Sequence, residues 1–230
     1  MRNYLIGFSD GSLQFSTACI YLVSYNIATK EVHTSLITTS SKIAESTIFA
    51  QSEESVPVKE MHGLLLCADS MIKTVEGFQE CKITLDGCLI GVDAVSQIVA
   101  LRSPPSQFKP RMRKYYANVN MHLYKIAKLT GQLKENIVFW INQKKAFNPA
   151  DLLGKFDIDK DQVSKWMELA KQVLQPPWLL QNPDIYLKDL LIESREKIMA
   201  LTAGKHTKQP IDEEESLTHD CVELKQGENQ

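Results

Sequence analysis

Residues 4–25 hold two apolar runs separated by one acidic, glycine-containing break. Tyr4-Leu5-Ile6-Gly7-Phe8-Ser9 drives straight into Asp10-Gly11-Ser12, and Phe15 to Tyr25 comes straight back. The pattern predicts a buried strand, an acid at the strand tip and a hairpin. A lone buried carboxylate is heavily penalised. Asp10 therefore either begins a glycine turn or reaches solvent at the strand tip, where it suits a metal ion.

The chain continues in the same alternating style. Glu31 to Ile43 is rich in Thr, Val and Ile and reads as a third strand. Residues 44–55 are polar and read as a loop. A helix is expected from Val56, with Ser55 as cap and Pro57 in the first turn. Met61, Leu64, Leu65, Ala68, Met71, Ile72 and Val75 give it one apolar face. Glu60 falls about 80° from the centre of that face at about 100° per residue. It either leans over the sheet edge or serves the helix dipole.

Cys81 to Leu85 is expected as a short strand ending at Asp86-Gly87, and Cys88 to Leu101 as the helix after it. Asp86 is then either a second strand-tip acid or an N-cap, and Asp93 a surface residue of the helix. Pro110 to Leu129 reads as a long helix closed by Gly131, and Ile137 to Ile141 as a fifth strand. Asn148-Pro149-Ala150-Asp151 has the layout of a capped helix start. Its Asp151 is a dipole-favoured acid that also points back at the preceding strand end. The expected domains are a catalytic domain over 1–156, a helical C-terminal extension over 157–203 and a disordered tail or linker over 204–230.

The formal net charge of −2 hides a segregation. Between Arg102 and Lys145 stand ten basic residues, and the only acid is Glu135. Such a block is a solvated helix face or a phosphate-binding surface. Tyr115, Tyr116 and Tyr124 lie within it, and they either meet nucleic acid or form the helix's core stripe. Five cysteines at irregular spacing argue against a disulfide framework or a zinc site. That cysteine pattern makes a reducing intracellular setting the expectation, and no apolar run approaches membrane-spanning length.

Asp10, Glu60, Asp86 and Asp151 each have a bland explanation, but four carboxylates meeting at one sheet edge would repel one another. Hard divalent cations resolve that repulsion, and oxygen-only ligation selects Mg²⁺ or Mn²⁺. Two such ions about 4 Å apart are the usual apparatus for phosphodiester displacement.

These stretches resemble the ribonuclease H domain of BEL/Pao-type retroelement reverse transcriptases. Asn148-Pro149-Ala150-Asp151-Leu152 is similar to the family's Asn-Pro-Ala-Asp-Leu, and Val56-Pro57-Val58-Lys59-Glu60-Met61 to its Ile-Pro-Arg-Leu-Glu-Leu. Ser9-Asp10-Gly11-Ser12 resembles the first-strand Asp-Ala-Ser motif, and Thr84-Leu85-Asp86-Gly87 the Trp-Thr-Asp-Ser motif. Tyr115-Tyr116-Ala117-Asn118-Val119 resembles Phe-Val-Ala-Asn-Arg, and Pro177-Trp178-Leu179 the Gly-Pro-x-Trp-Leu that follows the domain. The departures are Gly87 for a hydroxyl residue, Val119 for Arg, and Lys144-Lys145 in a loop where many ribonucleases H carry a His.

The resemblance implies an α/β fold, a ribonuclease H-like mixed five-stranded sheet flanked by helices. It implies a catalytic, metal-binding quartet of Asp10, Glu60, Asp86 and Asp151 holding two Mg²⁺ or Mn²⁺ ions. The reaction it implies is hydrolysis of the RNA strand of an RNA–DNA hybrid. Ser12, Lys109, Arg111, Arg113, Lys114, Asn118, Lys144 and Lys145 are the expected nucleic-acid contacts. The expected partners are the hybrid and the reverse transcriptase and integrase parts of one polyprotein. The expected location is the cytoplasm, a virus-like particle or the nucleus. Two other readings compete. One is a catalytically silent binding or domesticated module on the same fold. The other is a DDE-type integrase core, which needs its Glu after the second Asp.

Overall fold

The computed structural model describes residues 1–12, 15–43, 56–108, 110–142, 147–154 and 163–203. The long hairpin forms as β1 (Arg2–Gly11) and β2 (Phe15–Tyr25), followed by β3 (Val32–Ile43) and α1 (Val56–Glu80). Then come β4 (Gly87–Val92), α2 (Val95–Arg102), α3 (Pro110–Thr130), β5 (Val138–Trp140), α4 (Pro149–Gly154), α5 (Val163–Leu174) and α6 (Pro183–Ala203). The five strands make one mixed sheet in the order β3-β2-β1-β4-β5. The β1–β2 and β2–β3 pairs are antiparallel, and β1–β4 and β4–β5 are parallel.

Alternation along each strand divides the apolar residues between two layers. Leu5, Ala18, Ile20, Cys88 and Ile90 face one way, against Met61, Leu64, Ala68 and Met71 of α1 and Val119, Leu123 and Ile126 of α3. Ile6, Phe8, Cys19, Tyr21 and Leu89 face the other way, against Ala150, Leu179, Tyr186, Leu187 and Leu190. The stretch expected as a C-terminal extension thus supplies the second covering layer. The compact unit runs from Met1 to Ile198. Polar ties fix this layer: the Tyr21 hydroxyl donates to the Val173 carbonyl, and Arg2 and Tyr4 both donate to Asp184 at the start of α6, at 2.8 and 2.9 Å. Of Met199–Gln230, the second unit, only the last turn of α6 is described. The expected tail over 204–230 lies outside the described residues.

One boundary differs from expectation. Cys81 to Leu85 is not a strand and is largely exposed, whereas Gly87–Val92 is a strand buried at every position. A central parallel strand is covered on both faces, so its sequence is continuously apolar instead of alternating. That run is what reads as helix in isolation. The helix itself starts only at Val95.

α1 and α3 pack side by side and run in the same direction. His62 meets Tyr115 with ring centroids 4.3 Å apart, Lys125 pairs with Glu76 at 2.8 Å, and Gln79 donates to the Leu129 carbonyl at 3.0 Å. The beginning of α3 is therefore at the same end of the molecule as Glu60. Among the described residues, no helix is long and apolar enough to cross a membrane. Cys19, Cys67, Cys81 and Cys88 are free thiols.

Candidate active site

β1 carries Asp10 to the end of the sheet, where Asp10 pairs with Thr17 of β2. Two glycines let α1 approach that strand end. A Cβ on Gly11 would strike the Lys59 carbonyl, and one on Gly63 would strike the Asp10 carbonyl. The first turns of α1 are thereby laid against the last residues of β1, which brings Glu60 next to Asp10.

The parallel register supplies the next acid. Phe8 pairs with Gly91 of β4, so Asp10 and Asp93, each two residues further on, leave the sheet side by side. The Trp140 indole N–H holds the Asp93 carbonyl at 2.9 Å. Asp93, expected on a helix surface, is instead the acid at the tip of β4.

Asp86 is not part of this group. Its N–H donates to the Asn3 carbonyl at 2.7 Å, and its Oδ2 accepts the Asn3 N–H at 2.8 Å. It is exposed and caps the beginning of the β1–β4 pair. Seven residues of strand separate Asn3 from Asp10, about 23 Å at the usual rise. An ion on Asp10 cannot also touch Asp86. The sequence does contain a hint of the right residue. Leu89-Ile90-Gly91-Val92-Asp93 repeats the layout of Ile6-Gly7-Phe8-Ser9-Asp10, an apolar run with one glycine ending in an acid.

Asp151 reaches the same end of the sheet through α4. Asn148 caps that helix as expected, its Oδ1 accepting the Ala150 N–H at 3.1 Å. The Asn148 amide donates to the Ser9 carbonyl at 2.9 Å, and the Thr17 hydroxyl to the Ala150 carbonyl at 2.8 Å. These bonds dock the first turn of α4 onto the strand pair that carries Asp10.

The electrostatics reflect the crowding. Burial, then Asp93, then Asp10, push the Glu60 carboxyl up to about 7, against an opposing hydrogen bond from the Gln97 side chain. Glu60 Oε2 is buried and has no hydrogen-bond partner. An orphaned carboxylate oxygen beside two further acids is a donor set of the right chemistry for a hard divalent cation. The fit is one of donor chemistry. Among the described residues, no three His, Cys, Asp or Glu side chains are already close enough to share one ion. Coulombic influence reaches further than a metal–oxygen bond, so both observations hold.

The expected nucleic-acid contacts fare unevenly. Lys114 and Arg113 are exposed near the start of α3, but the Arg113 guanidinium is engaged with the Phe108 and Ser106 carbonyls at 2.7 and 3.3 Å. Ser12 closes the hairpin, its hydroxyl bonded to the Phe15 N–H and carbonyl. The Asn118 carbonyl meets His122 Nδ1 at 2.8 Å. Tyr116 belongs to the core, its hydroxyl directed at the Leu101 and Ser103 carbonyls, whereas Tyr124 is 61% exposed. Lys109, Lys144, Lys145 and the side chain of Arg111 lie outside the described residues.

Residues 1–93 match a family model described as the Pao retrotransposon-like RNaseH-like domain. No curated protein matches the chain. Among solved structures, the Thermus thermophilus RuvC structure aligns at 11% identity over 90% of this chain and 99% of that one, with a TM-score of 0.30. So loose a likeness carries no argument.

Proposed function

We propose that the protein, whose residues 1–93 match a model of the Pao retrotransposon-like RNaseH-like domain, is a metal-dependent endonuclease hydrolysing the RNA strand of RNA–DNA hybrids. The observation that carries this reading is the placement of Glu60, Asp10 and Asp93 at one end of the sheet, set by the close approach of α1 to β1 at Gly11 and Gly63 and by the Phe8–Gly91 register. Asp151 joins them there from α4. The catalytic set is thus Asp10, Glu60, Asp93 and Asp151, with Asp93 in the place first expected of Asp86.

Two Mg²⁺ or Mn²⁺ ions bound by these residues would activate the attacking water and stabilise the leaving 3′ oxygen. The chain's own part is to hold the acids in place. Gly11 and Gly63 allow Glu60 to reach Asp10, the β1–β4 register places Asp93, and Asn148 docks Asp151. The cationic start of α3, with exposed Lys114, lies toward this end and suits the phosphates of a hybrid. The RNA strand would be told from DNA by its 2′-hydroxyl groups. On this reading the domain works beside the reverse transcriptase and integrase parts of one polyprotein, in the cytoplasm, a virus-like particle or the nucleus.

The test is cleavage of a labelled RNA–DNA hybrid in Mg²⁺ by the full chain and by Asp10→Asn. Equal cleavage by both defeats the reading. The separation of the acids favours one alternative, a silent hybrid-binding module on the same fold. Unimpaired hybrid binding with no metal-dependent cleavage would establish that instead.

A further inference from the structure

At the acid-bearing end of the sheet, β1, β2 and β3 finish in one row. Gly11 pairs with Ser16, and Ser16 with Lys42. At the usual spacing between strands, Lys42 stands about 10 Å across the sheet from Gly11. The strand order sets Lys42 and Asp93 on opposite sides of Asp10. The Ser40 hydroxyl meets that of Ser70 in α1 at 2.9 Å, so Ser40 faces α1. Lys42, two residues on, faces the same way and is exposed.

α1 brings a second lysine to this row, since a Cβ on Gly11 would strike the Lys59 carbonyl. At about 100° per residue, Lys59 lies about 20° from Ser70 around the helix, and Glu60 about 80° from it in the other direction. Lys59 is therefore on the β3 side of α1. Helical side chains lean toward the helix N-terminus, here the end where the acids lie. Lys59 is only 5% exposed. Buried charges are ordinarily paired, yet among the described residues neither Lys59 nor Lys42 has an ion pair or a side-chain hydrogen bond.

We propose that Lys59 and Lys42 together hold a backbone phosphate of the bound nucleic acid, on the β3 side of the acids. This rests on the reading of the protein as a nuclease and deepens it. To Lys114 of α3 it adds a second cationic contact, on the side of Asp10 away from β4. An ammonium binds phosphate as a point charge, and a phosphate seated here supplies the counter-charge that the fold leaves out. Such contacts set position and register without reading bases.

The experiment is fluorescence anisotropy of a labelled RNA–DNA hybrid with the full chain, in chelator to prevent metal-dependent cleavage, over a series of salt concentrations. Wild type is compared with Lys59→Met, which keeps the stem and removes the charge, and with Lys59→Arg and Lys42→Met. One phosphate contact contributes about 0.9 to the slope of log affinity against log salt. Each Met variant should make that slope shallower by about 0.9 and weaken binding about eightfold near 0.1 M salt, whereas Lys59→Arg should keep both. Urea melts of Lys59→Met should show no loss of stability, because the charge it removes has no partner. Wild-type slope and affinity in either Met variant overturn the pair. Lost stability with an unchanged slope makes Lys59 a structural residue instead. Should Lys59→Met fail to fold, the exposed Lys42 decides the matter through Lys42→Met. Wild type that binds the hybrid but cuts none of it in Mg²⁺ defeats the nuclease reading and leaves the slopes to decide the pair. Wild type that binds no hybrid, with or without Mg²⁺, overturns both.

Discussion

Gly63 lies so close to Asp10 that a single added methyl would strike the Asp10 carbonyl. Glycine inside a helix ordinarily costs about 1 kcal/mol relative to alanine, so on propensity alone Gly63→Ala should stabilise α1. The contact reverses that sign. Overpacking against rigid backbone costs roughly 1–3 kcal/mol, and the helix can relieve it only by moving Glu60 away from Asp10. Urea unfolding of Gly63→Ala should show a net loss of stability, and hybrid cleavage should fall with it. A variant more stable than wild type would show that the helix has room to spare.

The two aspartates flanking β4 make opposite predictions. Asp93→Asn should lower Mg²⁺-dependent cleavage by about 100-fold or more, since even groups behind the ligands cost 10- to 100-fold. Asp86→Asn removes only an exposed charge, its amide oxygen still able to accept the Asn3 N–H, and should leave cleavage within a few-fold of wild type. A hybrid-cleavage assay on both variants separates the assignments, and the reverse order of effects would restore Asp86.

Glu60 should give the metal-free protein a dependence on pH. Its carboxyl is raised from an ordinary 4.5 to about 7, so between those values the folded state holds a proton that the unfolded state has released. Stability from this group is full below its unfolded pKa and falls as pH rises toward about 7. Because Glu60 is only part-buried, solvent screening reduces the effect to on the order of 1 kcal/mol. Urea melts in chelator at pH 5 and pH 7.5 should show the fall in wild type. The fall should be smaller in Glu60→Gln, and equal slopes in the two proteins would contradict the crowding of the acids.

Removing residues 157–230 should abolish folding instead of trimming an appendage. Leu179, Tyr186, Leu187 and Leu190 cover Phe8, Tyr21 and Leu89. At about 1.5–3 kcal/mol for each buried side chain, their loss amounts to roughly 6–12 kcal/mol, against a whole-domain stability of about 5–15 kcal/mol. The truncation also leaves the Trp140 N–H without the Ser194 hydroxyl that accepts it at 2.8 Å. Light scattering and circular dichroism of the shortened chain should report aggregation and lost structure. A soluble, cooperatively melting 1–156 fragment would show that the second face can stand uncovered.

The sequence by itself determined whatever short-range chemistry could specify. The hairpin around Asp10 follows from two apolar runs and a turn. The Asn148 cap that positions Asp151 follows from Asn-Pro-Ala-Asp, and the shoulder position of Glu60 from helical periodicity. Only the tertiary structure decided which acid after the third strand completes the group. Asp86 and Asp93 bracket the same buried strand, and local propensity cannot tell its beginning from its end relative to β1. Parallel pairing between residues some eighty positions apart sets that, aligning Phe8 with Gly91. The same holds for α6. Its role comes from the bare sheet face that the fold brings against it, and is not written in the residues next to it in the chain.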